Sequence, residues 1–128
     1  MWEICFSRNK DWRPVADWAD IERELDRLDN GDHTYFNLSE DAVRYMKVDG
    51  GNQNRVIVEF SNAVLSSQYQ FLCDPTQTTR VAIKDWYWKR VPPKICIDKS
   101  LAKQALNYFF DTQERDESLD WRGWPETE

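Results

Sequence analysis

Histidine is nearly absent from this chain of 128 residues, with His33 standing alone. One imidazole excludes a histidine-built metal site. The three cysteines, Cys5, Cys73 and Cys96, lie far apart with no Cys-x-x-Cys, so zinc has too few recognisable ligands. Their odd number and apolar, strand-like settings read as reduced, buried thiols of a cytoplasmic protein. No apolar run approaches the roughly 20 residues of a membrane span, and Met1-Trp2-Glu3 leads straight into a strand pattern without a basic leader. Glycine is scarce at four residues. The Gly50-Gly51 pair lies between two strands, with no helix and no Lys-Ser/Thr after it, which argues against a phosphate cradle. Nucleophile-elbow, zincin, P-loop and dinucleotide patterns are missing too. These absences lead to the expectation of no enzyme, no metal and no cofactor.

Aromatic residues and charge are what the chain has in quantity. Aromatics make up 14% of it, including seven Trp, and 41% is hydrophobic, too rich for a disordered chain and enough for one core in a single domain over 1–128. Tryptophan serves cores and interfaces alike, because a large apolar face carries an N–H that needs a partner. Net charge is −6, unevenly spread: residues 1–32 carry −4, 33–76 carry −2, 77–110 carry +5 and 111–128 carry −5. Such a balance opposes a general nucleic-acid binder and suits a basic partner. The aromatic-basic run Trp86-Tyr87-Trp88-Lys89-Arg90 is the one patch that invites stacking on bases. Standing alone in an acidic chain, it reads instead as a strand whose tryptophan side packs under a helix.

Taken in order, Trp2 to Phe6 forms a first strand, and Lys10 to Pro14 a loop. Asp17 caps a helix whose Trp18, Ile21, Leu25 and Leu28 share one face, and Gly31 is placed to take the left-handed position after it. Strands follow at His33–Leu38 and Ala42–Val48, linked by Ser39-Glu40-Asp41 as a hairpin. A turn cluster at Asp49–Asn54 leads into strands at Arg55–Phe60 and Gln68–Cys73. Val81-Ala82-Ile83 opens a further strand toward Arg90, and Pro92-Pro93 interrupts it. A short strand Ile95–Ile97 delivers the chain to a second helix, with Asp98 as its N-cap and Leu101, Ala105, Leu106 and Tyr108-Phe109-Phe110 in helical rhythm. The predicted class is α+β: a mainly antiparallel sheet of about five to seven strands, with an N-terminal and a C-terminal helix packed on one face. His33, beside Asp32 at a strand entrance, reads as structural or exposed.

The C-terminal third carries a motif: Ala102, Ala105, Phe109-Phe110, then Thr112-Gln113-Glu114-Arg115, Glu117, Leu119 and Trp121. This ending resembles the first-numbered immunity family of bacterial polymorphic toxin systems, and the strand-helix-strands layout is similar over most of the chain. Two departures stand out: Asp116 occupies a position where the family pattern has proline, and Trp124-Pro125 extends past the usual end. The resemblance implies a non-enzymatic antitoxin. Such a protein binds a cognate toxin domain, often a nucleic-acid-targeting deaminase or nuclease, and blocks its active site.

An acidic surface with aromatic anchors would fill the basic cleft of such a toxin. The expected grip is formed by the tail acids Glu114, Asp116, Glu117 and Asp120, with Trp124 and either Trp86 or Trp88 as anchors. Glu22, Asp26 and Asp29 of the first helix form a second candidate patch, and Trp121 belongs to the core. The expected partner is a toxin domain with a basic surface, bound by a monomer or small homo-oligomer, with no direct nucleic-acid or membrane contact. Two rival classes stay open: an adaptor or chaperone-like domain for a secreted effector, and a cytosolic enzyme with an enclosed pocket around His33 or paired acids.

Overall fold

A computed structural model of the chain describes residues 1–6, 12–62, 69–84 and 90–123. The strand of the Trp86-Tyr87-Trp88 run and the position of Trp124 therefore lie outside the described residues. The elements in chain order are β1 (Glu3–Phe6), β2 (Arg13–Pro14), α1 (Trp18–Arg27), β3 (Tyr35–Ser39), β4 (Arg44–Gly50), β5 (Arg55–Asn62), β6 (Tyr69–Cys73), β7 (Ile97–Asp98), α2 (Lys99–Thr112) and β8 (Asp120–Arg122). The sheet is antiparallel throughout, in the order β2-β1-β3-β4-β5-β6-β8, with β7 paired to the start of β5. Three pieces were not expected from the sequence, namely β2, β8 and the pairing of β7; each is only two or three residues long, too short for a periodic signal.

Pleating assigns the two faces. Met46 and Val48 of β4 lie opposite Phe60 and Val58 of β5, and Phe36 and Leu38 of β3 lie opposite Val48 and Met46. These residues point to the side where both helices lie, against Ile21, Leu25 and Leu28 from the first helix region and Ala102, Ala105, Leu106 and Phe109 from α2. Phe109 is fully buried, with Trp2 and Phe60 presenting ring edges to it at 5.1 and 5.9 Å. Both helices occupy one face, as the apolar periodicity requires.

The opposite face is apolar only in part. Ile57 and Phe71 pack there with Val81, Ile83, Val91, Ile95 and Cys96. Val81–Ile83 was expected as a strand; it is instead an irregular cover laid over β5 and β6. Its backbone is satisfied by side chains rather than by a ladder: the Ala82 carbonyl accepts from Asn30 Nδ2 at 3.2 Å and from Asn52 Nδ2 at 2.8 Å. Alternating burial without a neighbouring strand looks the same in sequence as a strand. Pro93–Ile95 forms a single 3-10 turn, so the expected strand at Ile95–Ile97 shrinks to Ile97–Asp98.

The helix ends differ from expectation in two details. Asp17 caps α1 as read, accepting from the Asp20 N–H at 3.0 Å. At the other end the left-handed residue is Asn30, with φ 64°, and not Gly31. Asn tolerates that region, and its side chain is used at once: Oδ1 accepts from the Lys84 N–H at 2.6 Å. Lys99 Nζ reaches across to the carbonyls of Asp26 and Leu28 at 3.2 and 2.8 Å, serving groups that a helix C-terminus leaves without partners. Asp98 stands at the N-cap position of α2, but its carboxylate pairs with Arg55 Nε at 3.0 Å and makes no cap bond. All three cysteines are buried and outside any disulfide, and burial pushes the thiols of Cys73 and Cys96 up.

The two glycines beside the helix-strand turn have opposite demands. Gly51 has φ +113°, and a Cβ there would fall 2.3 Å from the Leu28 carbonyl group; at Gly31 the nearest heavy atom would be a carboxylate oxygen at 3.5 Å. Gly51→Ala should destabilise the fold by more than about 2 kcal/mol, whereas Gly31→Ala should stay within about 0.5 kcal/mol of the parent. Urea unfolding midpoints of the two variants check this.

Candidate functional site

The motif of the C-terminal third resolves into a folded ending. α2 stops where Gln113 turns left-handed (φ 63°) and donates its N–H to the Phe109 carbonyl at 2.7 Å. Thr112 Oγ1 donates to the Tyr108 carbonyl at 2.8 Å and accepts from the Glu114 N–H at 3.1 Å. Arg115 then lies over the rings of Phe60 and Trp121, at 6.0 and 5.9 Å. Asp116 closes a turn, taking the Ser118 N–H and hydroxyl on one carboxylate oxygen while its carbonyl accepts from Trp121 Nε1 at 2.9 Å. Leu119 and Trp121 pack against the main core, and β8 pairs with β6, Trp121 opposite Leu72. Thr112, Arg115, Leu119 and Trp121 thus hold the ending onto the sheet.

The four tail acids share this turn and strand, and each has a local partner. Glu114 pairs with Arg44, which also holds Asp41 at 2.9 Å; Glu117 pairs with Arg115 at 2.5 Å and Asp120 with Arg122 at 2.8 Å. The second patch is not brought to the same place. Glu22 pairs with Lys103 at 3.0 Å, and roughly 14 Å of α2 separates Lys103 from the tail turn. Asp29 spends its carboxylate on the N–H groups of Gly31 and His33, at 2.8 and 3.0 Å. Asp26 and Asp29 are both exposed and form no ion pair among the described residues. The two candidate patches lie apart, and the charges of Glu22, Glu114, Glu117 and Asp120 are each met by a nearby cation.

Two other acids of α1 are buried and structural. Arg13 donates both Nη atoms to Asp20 at 2.8 and 2.9 Å and reaches Glu24 at 2.8 Å; Arg23 and Arg27 complete the network. The Arg13 guanidinium holds the Asp20 carboxyl well below the usual carboxylate range. His33 is exposed, its ring 3.3 Å from Arg27 Nη2.

A pocket that the sequence reading missed opens on the sheet face turned away from the helices. It encloses about 310 Å³ between Glu3, Trp12, Ser39, Glu40, Asp41, Ala42 and Tyr45. The register explains how residues so far apart meet: Glu3 of β1 lies directly opposite Ser39 of β3, and the β3–β4 hairpin brings Tyr45 alongside. The hairpin turn is firmly held. Ser39 Oγ donates to the Arg44 carbonyl and accepts from the Ala42 N–H, Asp41 accepts the N–H groups of Val43 and Arg44, and Tyr45 donates its hydroxyl to the Ala42 carbonyl. The exposed Trp12 ring faces Tyr45 at 6.0 Å. Glu40 pairs with the Met1 amino group at 2.6 Å. Glu3 forms no ion pair among the described residues. In sequence Glu3 sits inside an apolar strand, Trp12 in a loop and Asp41 in a turn, so only the pairing of β1 with β3 could have linked them.

Further along the same face Lys47 stands over the Tyr35 ring at 4.8 Å and 3.7 Å from Asp49. Its cross-strand neighbour Glu59 is half-buried and without a hydrogen-bond partner among the described residues, and burial raises its pKa against the opposing pull of Lys47. Comparison with family models, with curated proteins and with solved structures finds no match in any of the three. Among the described residues no three His, Cys, Asp or Glu side chains converge to hold a metal ion, and no helix is long and apolar enough to cross a membrane.

Asp20 and Glu59 predict opposite pH responses. A depressed carboxyl contributes stability that is present above its unfolded pKa, about 3.9, and lost as pH falls below it. Asp20→Asn should therefore lower stability at neutral pH and flatten the acid limb. A raised carboxyl binds its proton more tightly when folded, so stability declines as pH climbs from about 4.3 through the raised value. Glu59→Gln should remove that decline and leave the protein more stable at pH 7. Denaturant unfolding at half-unit steps from pH 3 to pH 8 reads both.

Proposed function

We propose that this chain is an immunity protein that binds a cognate bacterial toxin domain in the cytoplasm and neutralises it by covering its active site, without catalysing a reaction itself. The toxin class that fits is one acting on nucleic acid, a deaminase or nuclease with a basic substrate cleft. One observation carries this reading. Arg44 joins Asp41 of the hairpin to Glu114 of the tail, so the acids of the C-terminal turn and those around the 310 Å³ pocket form one continuous surface. A surface rich in carboxylate, with an exposed tryptophan beside it, complements a cleft built for phosphates.

Supporting this is the resemblance of the Thr112–Trp121 segment to an immunity family. The local ion pairs do not oppose it. An exposed pair contributes about 0–1 kcal/mol, so an incoming arginine can replace Arg44, Arg115 or Arg122 at small cost. Glu114 and Glu117 are well placed for such exchange, since their side chains remain 59% and 72% exposed.

Co-expression with the toxin domain encoded beside it should restore growth to poisoned cells, and the two purified proteins should form a stable complex. Failure of both, with the protein folded, would sink the proposal. Within the complex, Glu114→Lys should slow association severalfold at low salt and much less at high salt. An unchanged rate with unchanged salt dependence would remove the tail from the interface.

A further inference from the structure

We infer that the pocket between Glu3, Trp12, Ser39, Glu40 and Tyr45 is a socket for one cationic side chain, arginine or lysine, projecting from the bound partner. The inference rests on the toxin-binding reading and gives that surface its anchor point. Size is the first argument. At about 310 Å³ the space lies at the lower end of small-molecule pockets, roughly 300–1,000 Å³, and suits a single long side chain better than a nucleotide or cofactor.

The lining gives the sign of the charge. Trp12 and Tyr45 line the space, and aromatic rings attract a cation through their quadrupoles; the acids Glu3, Glu40 and Asp41 line it too. Asp41 is committed to Arg44 and to the turn, and Glu40 to the Met1 amino group. Glu3 stays without an ion pair among the described residues, half-buried in the pocket wall and directly opposite Ser39. An anion would meet three carboxylates there, and an apolar group would leave Glu3 dehydrated without compensation.

A second observation shows that this face already performs the same operation on a side chain of its own. Two residues further along β4, the Lys47 ammonium sits over the Tyr35 ring at 4.8 Å with Asp49 at 3.7 Å. Ring and carboxylate together grip a cation. The pocket repeats those components, with a second ring added and the cation to be supplied from outside. Position names the supplier: the pocket opens beside the Asp41-Arg44-Glu114 bridge, so a basic protein lying on that acidic surface brings its side chains to the mouth.

Two measurements test this. In the first, acetyl-arginine methylamide is titrated into the purified protein and followed by NMR. Saturable shifts should appear at the Trp12 indole and at Tyr45, while the neutral citrulline analogue should produce none. Glu3→Gln should weaken the arginine response by about tenfold, the loss expected for one hydrogen-bonded charge pair. Equal responses to arginine and citrulline, or none to either, would overturn the socket. In the second, toxin affinity is measured for Trp12→Ala and Glu3→Gln. Each should lose about tenfold or more, as interface anchors do. Parent-like affinity in both variants would overturn the assignment to the partner even where the peptide binds. If the parent neither rescues growth nor binds toxin, the functional reading fails on its own, and the peptide titration still decides the socket.

Discussion

One strand has to be covered on both sides, and the rest of the architecture follows from that. Val56, Ile57 and Val58 of β5 are each fully buried, although successive residues of a strand point to opposite faces. The helices can shield only Val56, Val58 and Phe60. Ile57 needs a second cover, which Val81, Ile83, Val91 and Ile95 provide among the described residues. Those residues pack on β5 and β6, while the second face of β1, β3 and β4 carries residues such as Glu3, Asn37, Ser39, Tyr45 and Lys47. Among the described residues the second core is smaller than the sheet, and the pocket lies in the polar part beside it.

The same constraint explains what was readable in the sequence and what was not. Ile21, Leu25 and Leu28 announced α1, and Leu101 to Phe110 announced α2, because a helix lying on a sheet needs a stripe of period 3.6 and both stripes are unbroken. β4 was readable from alternation, β5 from its β-branched apolar run, and both from the glycine-bearing turn between them. Val81–Ile83 was misread because an extended cover pressed on a core buries every second residue, as a strand does. What distinguishes them is where the carbonyls go, and Ala82 sends its carbonyl to Asn30 and Asn52, which are 52 and 30 positions away in sequence. Asp98 was misread for a related reason: a capping residue is recognised by type, but Arg55 competes for the same carboxylate from another strand.

The acidic tail presents a subtler case. Its charges were read correctly, and their partners could not be. Arg115 and Arg122 lie within the tail and were visible as neighbours; Arg44 comes from the far end of the β3–β4 hairpin, 70 residues from Glu114. That long-range pair changes what the tail is. Instead of a separate acidic appendage beyond α2, it becomes one margin of a surface whose other margin is the hairpin turn. The motif that carries the resemblance supplies the mechanical part of this arrangement, with Thr112 and Gln113 ending the helix and Trp121 fixing β8 to β6.

Rigidity and exchangeability are divided between the two sides of that surface, and the division bears on how it could bind. Around the pocket the turn atoms are tied by hydrogen bonds involving Ser39, Asp41 and Tyr45, so the Tyr45 wall is set before any partner arrives. At the tail the acids are held by exposed ion pairs that cost little to trade. A partner meeting such a surface would pay most of its ordering cost on the exchangeable side and least at the socket. A rigid anchor beside a compliant, charged margin combines fast electrostatic capture with slow release, since the margin acts at long range and the anchor only on contact. In the proposed complex, Glu114 and its neighbours would govern the association rate, and Trp12 with Glu3 the lifetime.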